Sequence, residues 1–161
     1  MSTRKYNPDE IATWFINTIY KKTGDSITNL KLQKLLYYAQ AWHLVFFEMP
    51  LFDEDFKAWA YGPVLTSIYA KLKKHGNNEI PIIKHRTSNI GDPNVEQLLE
   101  EVLSVYGGKS VYHLIDLTHS EKPWIDARGN IPREAKCNNI IDKLSMKNFY
   151  SAKLKEANGK E

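Results

Sequence analysis

Cysteine is almost absent from this chain of 161 residues, which has only Cys137. A lone cysteine excludes an intramolecular disulfide and is typical of a reducing cytoplasm. Long apolar runs are also absent: the longest, from Leu35 to Ala39, is far shorter than the roughly 20 residues that cross a bilayer. The first eight residues lack the apolar stretch of a secretory signal. We therefore expect a cytoplasmic protein that does not contact membranes.

The chain has little excess charge of either sign. Its net charge of +3 lies entirely in residues 143–161, which carry five lysines and two glutamates. Binding a phosphate backbone requires several cations on one face, and the balanced body does not supply them. Nucleic acid is therefore a disfavoured partner. The alternative is a regulator that binds nucleic acid through this basic tail and the dense group Lys71, Lys73 and Lys74.

Signatures of catalysis and of cofactor binding are missing. The five histidines form no metal-ligand spacing with acids or cysteines, and the glycines form no phosphate-binding loop. We expect no enzyme, no metal and no cofactor. One catalytic alternative stays open, in which His119 acts as the base for a Cys137 nucleophile. His43 lies in the most apolar predicted helix, which favours a core histidine bonded to a carbonyl.

Hydrophobic periodicity predicts a mainly α fold: a single compact helical domain of about five to seven helices, with room for a short two-stranded or extended element. The helix that opens at Thr28 or Asn29 and continues to about Phe47 is apolar on nearly all sides, so it is predicted to be central. The other predicted helices cover about 8–22, 63–75, 93–106, 110–118 and 145–155, and a marginal single helical turn is predicted near 124–127.

The segments between these helices are less regular. Residues 51–59 are predicted to form a turn followed by an extended segment. Residues 77–92 are predicted to form a surface loop with one short edge strand at 80–83. Gly62 and Pro63 are interpreted as the entrance of the third helix. The stretch 128–139 fits no single element.

Aromatic residues cluster in turn-like sequence just after the central helix, where they lie beside acidic residues. Exposed aromatic patches often mark protein partners. The candidate partner-binding residues are Asp53, Glu54, Asp55, Phe56, Trp59 and Tyr61. The alternatives are that the acids form a solvated turn, and that the rings simply cover the end of the central helix.

Two motifs resemble a known family. They are the run Leu30-Lys31-Leu32-Gln33-Lys34-Leu35-Leu36-Tyr37-Tyr38-Ala39-Gln40-Ala41-Trp42, and the segment Trp59-Ala60-Tyr61-Gly62-Pro63-Val64. Together with Leu117-Thr118-His119-Ser120 and Pro123-Trp124-Ile125-Asp126-Ala127-Arg128, they resemble the Panacea domain, which includes the SocA-like antitoxins and the phage-associated GepA-type proteins. The resemblance covers roughly residues 6–150. We assign residues 1–150 to this domain and 151–161 to a basic, frayed C-terminal tail.

The resemblance implies a prophage-associated antitoxin that binds and neutralises a cognate protein toxin, with a Clp-type protease as a further partner if the protein is a proteolytic adaptor. We expect this chain to consist of the Panacea domain alone, without an appended DNA-binding domain. Partner choice is expected to lie in the stretches 77–92 and 129–139, which match the family least. The matching motif residues are interpreted as structural: Leu32, Lys34, Leu35, Leu36, Trp42, Gly62, Pro63, Thr118, His119, Pro123 and Trp124.

Overall fold

The computed structural model describes residues 4–82 and 90–159. Within these ranges it has seven α-helices and one two-stranded antiparallel sheet, which confirms the mainly α prediction. No helix in the described ranges is long and apolar enough to span a bilayer. The elements are α1 (Pro8–Thr23), α2 (Asn29–Phe47), β1 (Lys57–Trp59), β2 (Gly62–Val64), α3 (Thr66–Leu72), α4 (Pro93–Tyr106), α5 (Val111–Ser120), α6 (Lys122–Arg128) and α7 (Lys143–Gly159).

The first two helices begin where their capping residues predict. The Asn7 side chain accepts a hydrogen bond from the Asp9 amide, and the Glu10 side chain accepts one from the Asn7 amide, which completes a capping box. The Thr28 hydroxyl accepts from the Lys31 amide at the start of α2. Local capping chemistry therefore fixes both starts.

Helix α2 is the centre of the molecule, as its all-round apolar sequence predicts. It packs against α1, α4, α5 and α7 and against β2. Leu32, Leu35 and Leu36 have no exposed surface. His43, also buried, places Nδ1 2.6 Å from the Met49 carbonyl oxygen, which confirms the core interpretation.

Two predicted helix starts are wrong. The third helix starts at Thr66, because Gly62 and Pro63 belong to strand β2 and pair with β1. The last helix starts at Lys143. Its capping residue is Asp142 and not the predicted Ser145, because the Asp142 side chain accepts a hydrogen bond from the Ser145 amide. This helix continues to Gly159, beyond the predicted fraying point at Lys155.

At residues 80–82, the described part of the predicted edge strand 80–83, a shorter contact takes its place. The Ile80 amide donates to the Ile27 carbonyl at 2.8 Å, and Glu79 forms an isolated bridge with Thr28. Ile80 is buried. The rest of the loop prediction, at residues 83–89, lies outside the described residues.

Helix α7 is joined to the core by a buried polar cluster. One carboxylate oxygen of Glu121 accepts from the hydroxyls of Tyr38 (2.7 Å) and Tyr150 (2.8 Å). The Tyr37 hydroxyl lies 3.2 Å from that of Tyr150. Burial raises the pKa of Tyr38 and of Tyr150, and the nearby Glu121 charge adds to both shifts, so these hydroxyls remain donors. Lys153 lies 3.5 Å from the other Glu121 oxygen.

We expect Glu121→Ala to lower the free energy of unfolding by about 2–4 kcal/mol, because it leaves two buried tyrosine hydroxyls without their acceptor. Urea denaturation followed by circular dichroism measures this loss. The control is Glu134→Ala, at an exposed glutamate. Equal midpoints for the two variants would contradict a structural role for the buried carboxylate.

Candidate functional site

The sheet is a tight hairpin whose tip is Ala60 and Tyr61. Lys57 pairs with Val64, and Trp59 pairs with Gly62. Strands of three residues are too short to be stable alone. The hairpin therefore depends on the helices around it.

Side chains of the central helix bind the main chain of strand β2 and of Leu65, the residue that follows it. The Lys34 ammonium donates to the Pro63 carbonyl at 3.1 Å. The Gln33 side-chain oxygen accepts from the Leu65 amide at 2.8 Å. Both polar side chains are fully buried. Buried polar groups must find partners, and here the partner is the hairpin backbone.

Side chains of α5 and α6 bind the other strand and the tip in the same way. Three consecutive hairpin carbonyls each accept a hydrogen bond from one side chain. The contacts are Arg128 Nη1 to Ala58 (2.7 Å), Trp124 Nε1 to Trp59 (2.8 Å) and His119 Nε2 to Ala60 (2.8 Å). The hairpin is thus held by its backbone, while the Tyr61 side chain at its tip is exposed to solvent.

Gly62 fits closely between Lys34 of α2 and Thr118 of α5. Its φ of +102° is in the left-handed region that favours glycine. A Cβ atom there would lie 2.6 Å from Lys34 Cε and 2.8 Å from Thr118 Oγ1. The close approach of the hairpin to α2 and α5 therefore requires glycine.

Lys34 is buried without a carboxylate partner among the described residues. Burial lowers its pKa to about 7, because the charged ammonium loses its hydration. The one acceptor that it reaches within those residues is the Pro63 carbonyl.

His119 is held as a neutral imidazole. Its Nε2 faces the Ala60 carbonyl and so carries the hydrogen, while Nδ1 accepts from Arg133 Nε at 3.1 Å. Burial, and then the Arg133 charge, lower the pKa of His119. The ring stacks on Trp124 with centroids 4.1 Å apart.

The arrangement does not assemble the Cys137–His119 pair. Both His119 nitrogens are occupied, and Cys137, which is buried, accepts from the Asn139 amide at 3.4 Å. Within the described ranges, no group of three or more His, Cys, Asp or Glu residues could hold a metal ion.

The predicted partner-binding rings have three different environments. Phe56 is 1% exposed and packs against Tyr37, so its assignment to a binding surface is wrong: its ring belongs to the core. Trp59 is half-buried and donates from Nε1 to Asn138 Oδ1. Tyr61, at the hairpin tip, is 68% exposed. Only Tyr61 of the three presents most of its ring to solvent.

The predicted acidic residues have partners within the chain. Asp53 lies 2.8 Å from Lys5 Nζ. Asp55 lies 2.5 Å from Lys143 Nζ. Glu54 accepts from both the amide and the hydroxyl of Ser67 and so caps α3 from outside. The alternative that the sequence left open was a solvated turn, and these contacts add to it ion pairs and a helix cap within the chain.

The other motif residues assigned to the scaffold make contacts among the helices. Pro123 and Thr118 are buried, and Thr118 donates to the Ile115 carbonyl. Trp42 is partly buried and donates to the Tyr106 hydroxyl at 2.9 Å.

Sequence reasoning missed Gln33, Gln40 and Arg128 as structural determinants. Gln40 binds the chain after α2 through both ends of its amide, donating to the Phe52 carbonyl and accepting from the Leu51 amide. For the two glutamines the available signal was their position, since polar residues within an otherwise apolar central helix require internal partners.

We expect Gly62→Ala to destabilise the protein by about 3 kcal/mol, because it adds a steric clash to the strain of a positive φ. The matched control is Gly24→Ala, since Gly24 also has a positive φ, in the left-handed helical region, but a Cβ atom added there would meet no other atom within 4 Å. That variant should lose only about 1 kcal/mol. Thermal unfolding of both variants measures the difference. Equal losses would show that packing against Lys34 and Thr118 contributes nothing.

The buried lysine predicts a pH-dependent stability. Below about pH 7 both folded and unfolded states hold the proton, and the folded state bears the full cost of a buried charge. At higher pH the folded state releases the proton before the unfolded state does, so stability rises with pH. Relative to Lys34→Met, the wild-type chain should gain about 1.4 kcal/mol per pH unit between about pH 7.5 and 9.5.

Urea denaturation across this range measures that slope, with Lys73→Met, at an exposed lysine, as the control. A wild-type chain whose stability stays parallel to that of Lys34→Met would contradict the uncompensated burial of Lys34.

Comparison with known proteins identifies the family of this chain. The family described as "Antitoxin SocA-like, Panacea domain" matches residues 32–125, which include most of the central helix, the hairpin, and His119 and Trp124 of the binding residues. Antitoxin SocA of Caulobacter vibrioides is 34% identical over 109 residues, which are 61% of this chain and 58% of that protein. The match thus spans little more than half the length of that relative. No solved structure matches the chain. Because the family match covers more than half of its residues, this chain belongs to the SocA-like Panacea domain family.

Proposed function

We propose that this chain is an antitoxin that neutralises a protein toxin by binding it directly, without catalysis of its own. Membership of the SocA-like family supports the antitoxin role. The observation that carries the binding mode is the hairpin, whose carbonyls at Ala58, Trp59, Ala60 and Pro63 are each bound by one side chain while Tyr61 extends into solvent at its tip. A residue that is presented on a fixed backbone loses less conformational freedom on binding.

The proposed contact region extends from the hairpin tip across neighbouring helices. We define the tip surface as Tyr61, Tyr112, Ile125 and Arg133. Arg133 contacts His119, which holds the tip carbonyl. Tyr112 is 76% exposed and lies two helical turns before His119 on the same face of α5. Ile125 is 44% exposed on α6. Aromatic residues and arginine are enriched where protein interfaces gain most of their affinity.

The nucleic-acid alternative receives less support, because several lysines that it needs contact acids of the same chain. Lys71 pairs with Asp9. In the tail, Lys143 pairs with Asp55, and Lys147 lies 3.5 Å from Glu48. Charges that are already paired release fewer counterions from a phosphate backbone. Binding to DNA and RNA, measured across salt concentrations, tests this alternative directly.

Neutralisation has two forms under this proposal. In the first, the antitoxin covers the working surface of the toxin. In the second, it also delivers the toxin to a Clp-type protease. The half-life of the toxin in cells, measured with and without the antitoxin, separates occlusion from delivery.

We expect Tyr61→Ala to weaken toxin binding at least tenfold, which corresponds to the roughly 1.4 kcal/mol or more that a central aromatic contact supplies. The toxin tested is the product of the neighbouring reading frame, and the readouts are its affinity and growth rescue on co-expression. Tyr20→Ala, at an exposed tyrosine of α1, is the matched control. Unchanged rescue and affinity in Tyr61→Ala would rule out the hairpin tip. Failure of the wild-type chain to bind or rescue would rule out the antitoxin role for that pair.

A further inference from the structure

A cavity of about 140 Å³ opens beside the hairpin tip. It lies between α5, α6 and the chain that follows α6. Its walls combine cationic, aromatic and aliphatic side chains: His119, Trp124, Ile125, Arg128, Ile131 and Arg133. No acidic residue is among the described residues that line it. The cavity is large enough for a side chain of a partner but far too small for a folded element.

Arg128 gives this cavity a buried positive charge. The residue is 3% exposed. Its Nη atoms donate to backbone carbonyls at Ala58, Pro132, Arg133 and Ala135, all of which are neutral acceptors. Among the described residues, no carboxylate lies within ion-pair distance of it.

The Arg128 guanidinium also retains an unused donor. Its Nε is the one buried side-chain nitrogen or oxygen atom without a hydrogen-bond partner in the described part of the chain. The centre of the group lies 5.0 Å from the Trp124 ring centroid. A buried cation with incomplete pairing strongly favours an anion brought near it.

Arg133 supplies a second positive charge at the rim. Its side chain is 59% exposed, and Nη2 lies 3.9 Å from Asp116 Oδ1, which is itself mostly exposed. His119 adds no charge, because burial and Arg133 lower its pKa. The cavity therefore has two guanidinium groups, while Ile125 and Ile131 offer apolar contact beside them.

We propose that this cavity binds a glutamate or aspartate side chain of the partner polypeptide, with an apolar residue next to that acid packing on Ile125. The inference rests on the proposed function and names the chemistry of the toxin segment that the tip surface contacts. Guanidinium groups bind carboxylates through charge-assisted hydrogen bonds, which are shorter and stronger than neutral ones. An acidic segment flanked by apolar residues complements both the charge and the walls of the cavity.

Blocked pentapeptides test the cavity independently of any toxin. The probe is acetyl-Gly-Leu-Glu-Leu-Gly-amide, and the matched control peptide has glutamine in place of glutamate. The readout is the ¹H–¹⁵N NMR signals of the Arg128 and Arg133 Nε–H groups and of the Trp124 indole. We expect the glutamate peptide to shift these signals in a saturable manner and to bind at least tenfold more tightly than the glutamine peptide.

Protein variants and competing ligands complete this test. Arg133→Gln should weaken the glutamate peptide by about tenfold, since it removes one of two guanidinium groups. Lys74→Gln, at an exposed lysine outside the cavity, should leave its affinity unchanged. Equal binding of the two peptides, or no effect of Arg133→Gln, would overturn the proposal. So would tighter binding of inorganic phosphate, of an oligonucleotide or of a peptide whose only carboxylate is its C-terminus.

The same variant in the toxin assay separates this inference from the proposed function. If Arg133→Gln binds the toxin as tightly as wild type does, the acidic-segment assignment fails and the antitoxin role stands. If the wild-type chain binds no toxin, the antitoxin role fails for that pair, and the peptide titration still decides whether the cavity takes a carboxylate side chain.

Discussion

The structure depends on helix side chains that satisfy the main chain of a hairpin too short to stand alone. Two strands of three residues have few hydrogen bonds of their own. Lys34 on α2, His119 on α5, and Trp124 and Arg128 on α6 bind four carbonyls between Ala58 and Pro63. Removing these carbonyls from water without such donors would cost more free energy than the small sheet returns. The family motifs thus contact one another: the helical motifs supply polar side chains, and these side chains bind the glycine-containing hairpin of the other motif.

This contact also explains why a buried lysine and a buried arginine occur in one small domain. Each reaches backbone carbonyls, and neither has a carboxylate partner among the described residues. The two buried cations differ in what their charge does in the folded protein. Burial lowers the pKa of Lys34 to about 7, so the ammonium group can become neutral by releasing its proton. The guanidinium of Arg128 lies instead beside the surface cavity, where it offers donors to an anion. Lys34 therefore forms a structural site, whereas Arg128 forms part of a site suited to an anionic partner.

Much of this arrangement could be predicted from local sequence. The starts of α1 and α2 follow from Asn7 and Thr28, and the all-round apolar pattern places α2 at the centre. The sequence left room for a short two-stranded element but did not locate strand β2, because Pro63 has the same local preferences at a helix entrance and in an edge strand. Its strand pairing is imposed by side chains far away in sequence, such as Arg128. The assignment of Phe56 to the surface was wrong for a related reason: neighbouring acids suggested solvent, whereas the ring turns inward against Tyr37.

Holding a hairpin by its carbonyls has a consequence for how such a domain diversifies. A carbonyl group is identical in every amino acid, so the bonds to Ala58, Trp59 and Ala60 do not depend on which side chains those positions carry. The exposed position 61 can therefore accept different residues while the frame that presents it stays intact. This separation of frame from presented residue is the principle by which antibody loops acquire new targets on an unchanging sandwich. Single substitutions at position 61 can therefore change the surface that the hairpin presents without altering the hydrogen bonds that hold it.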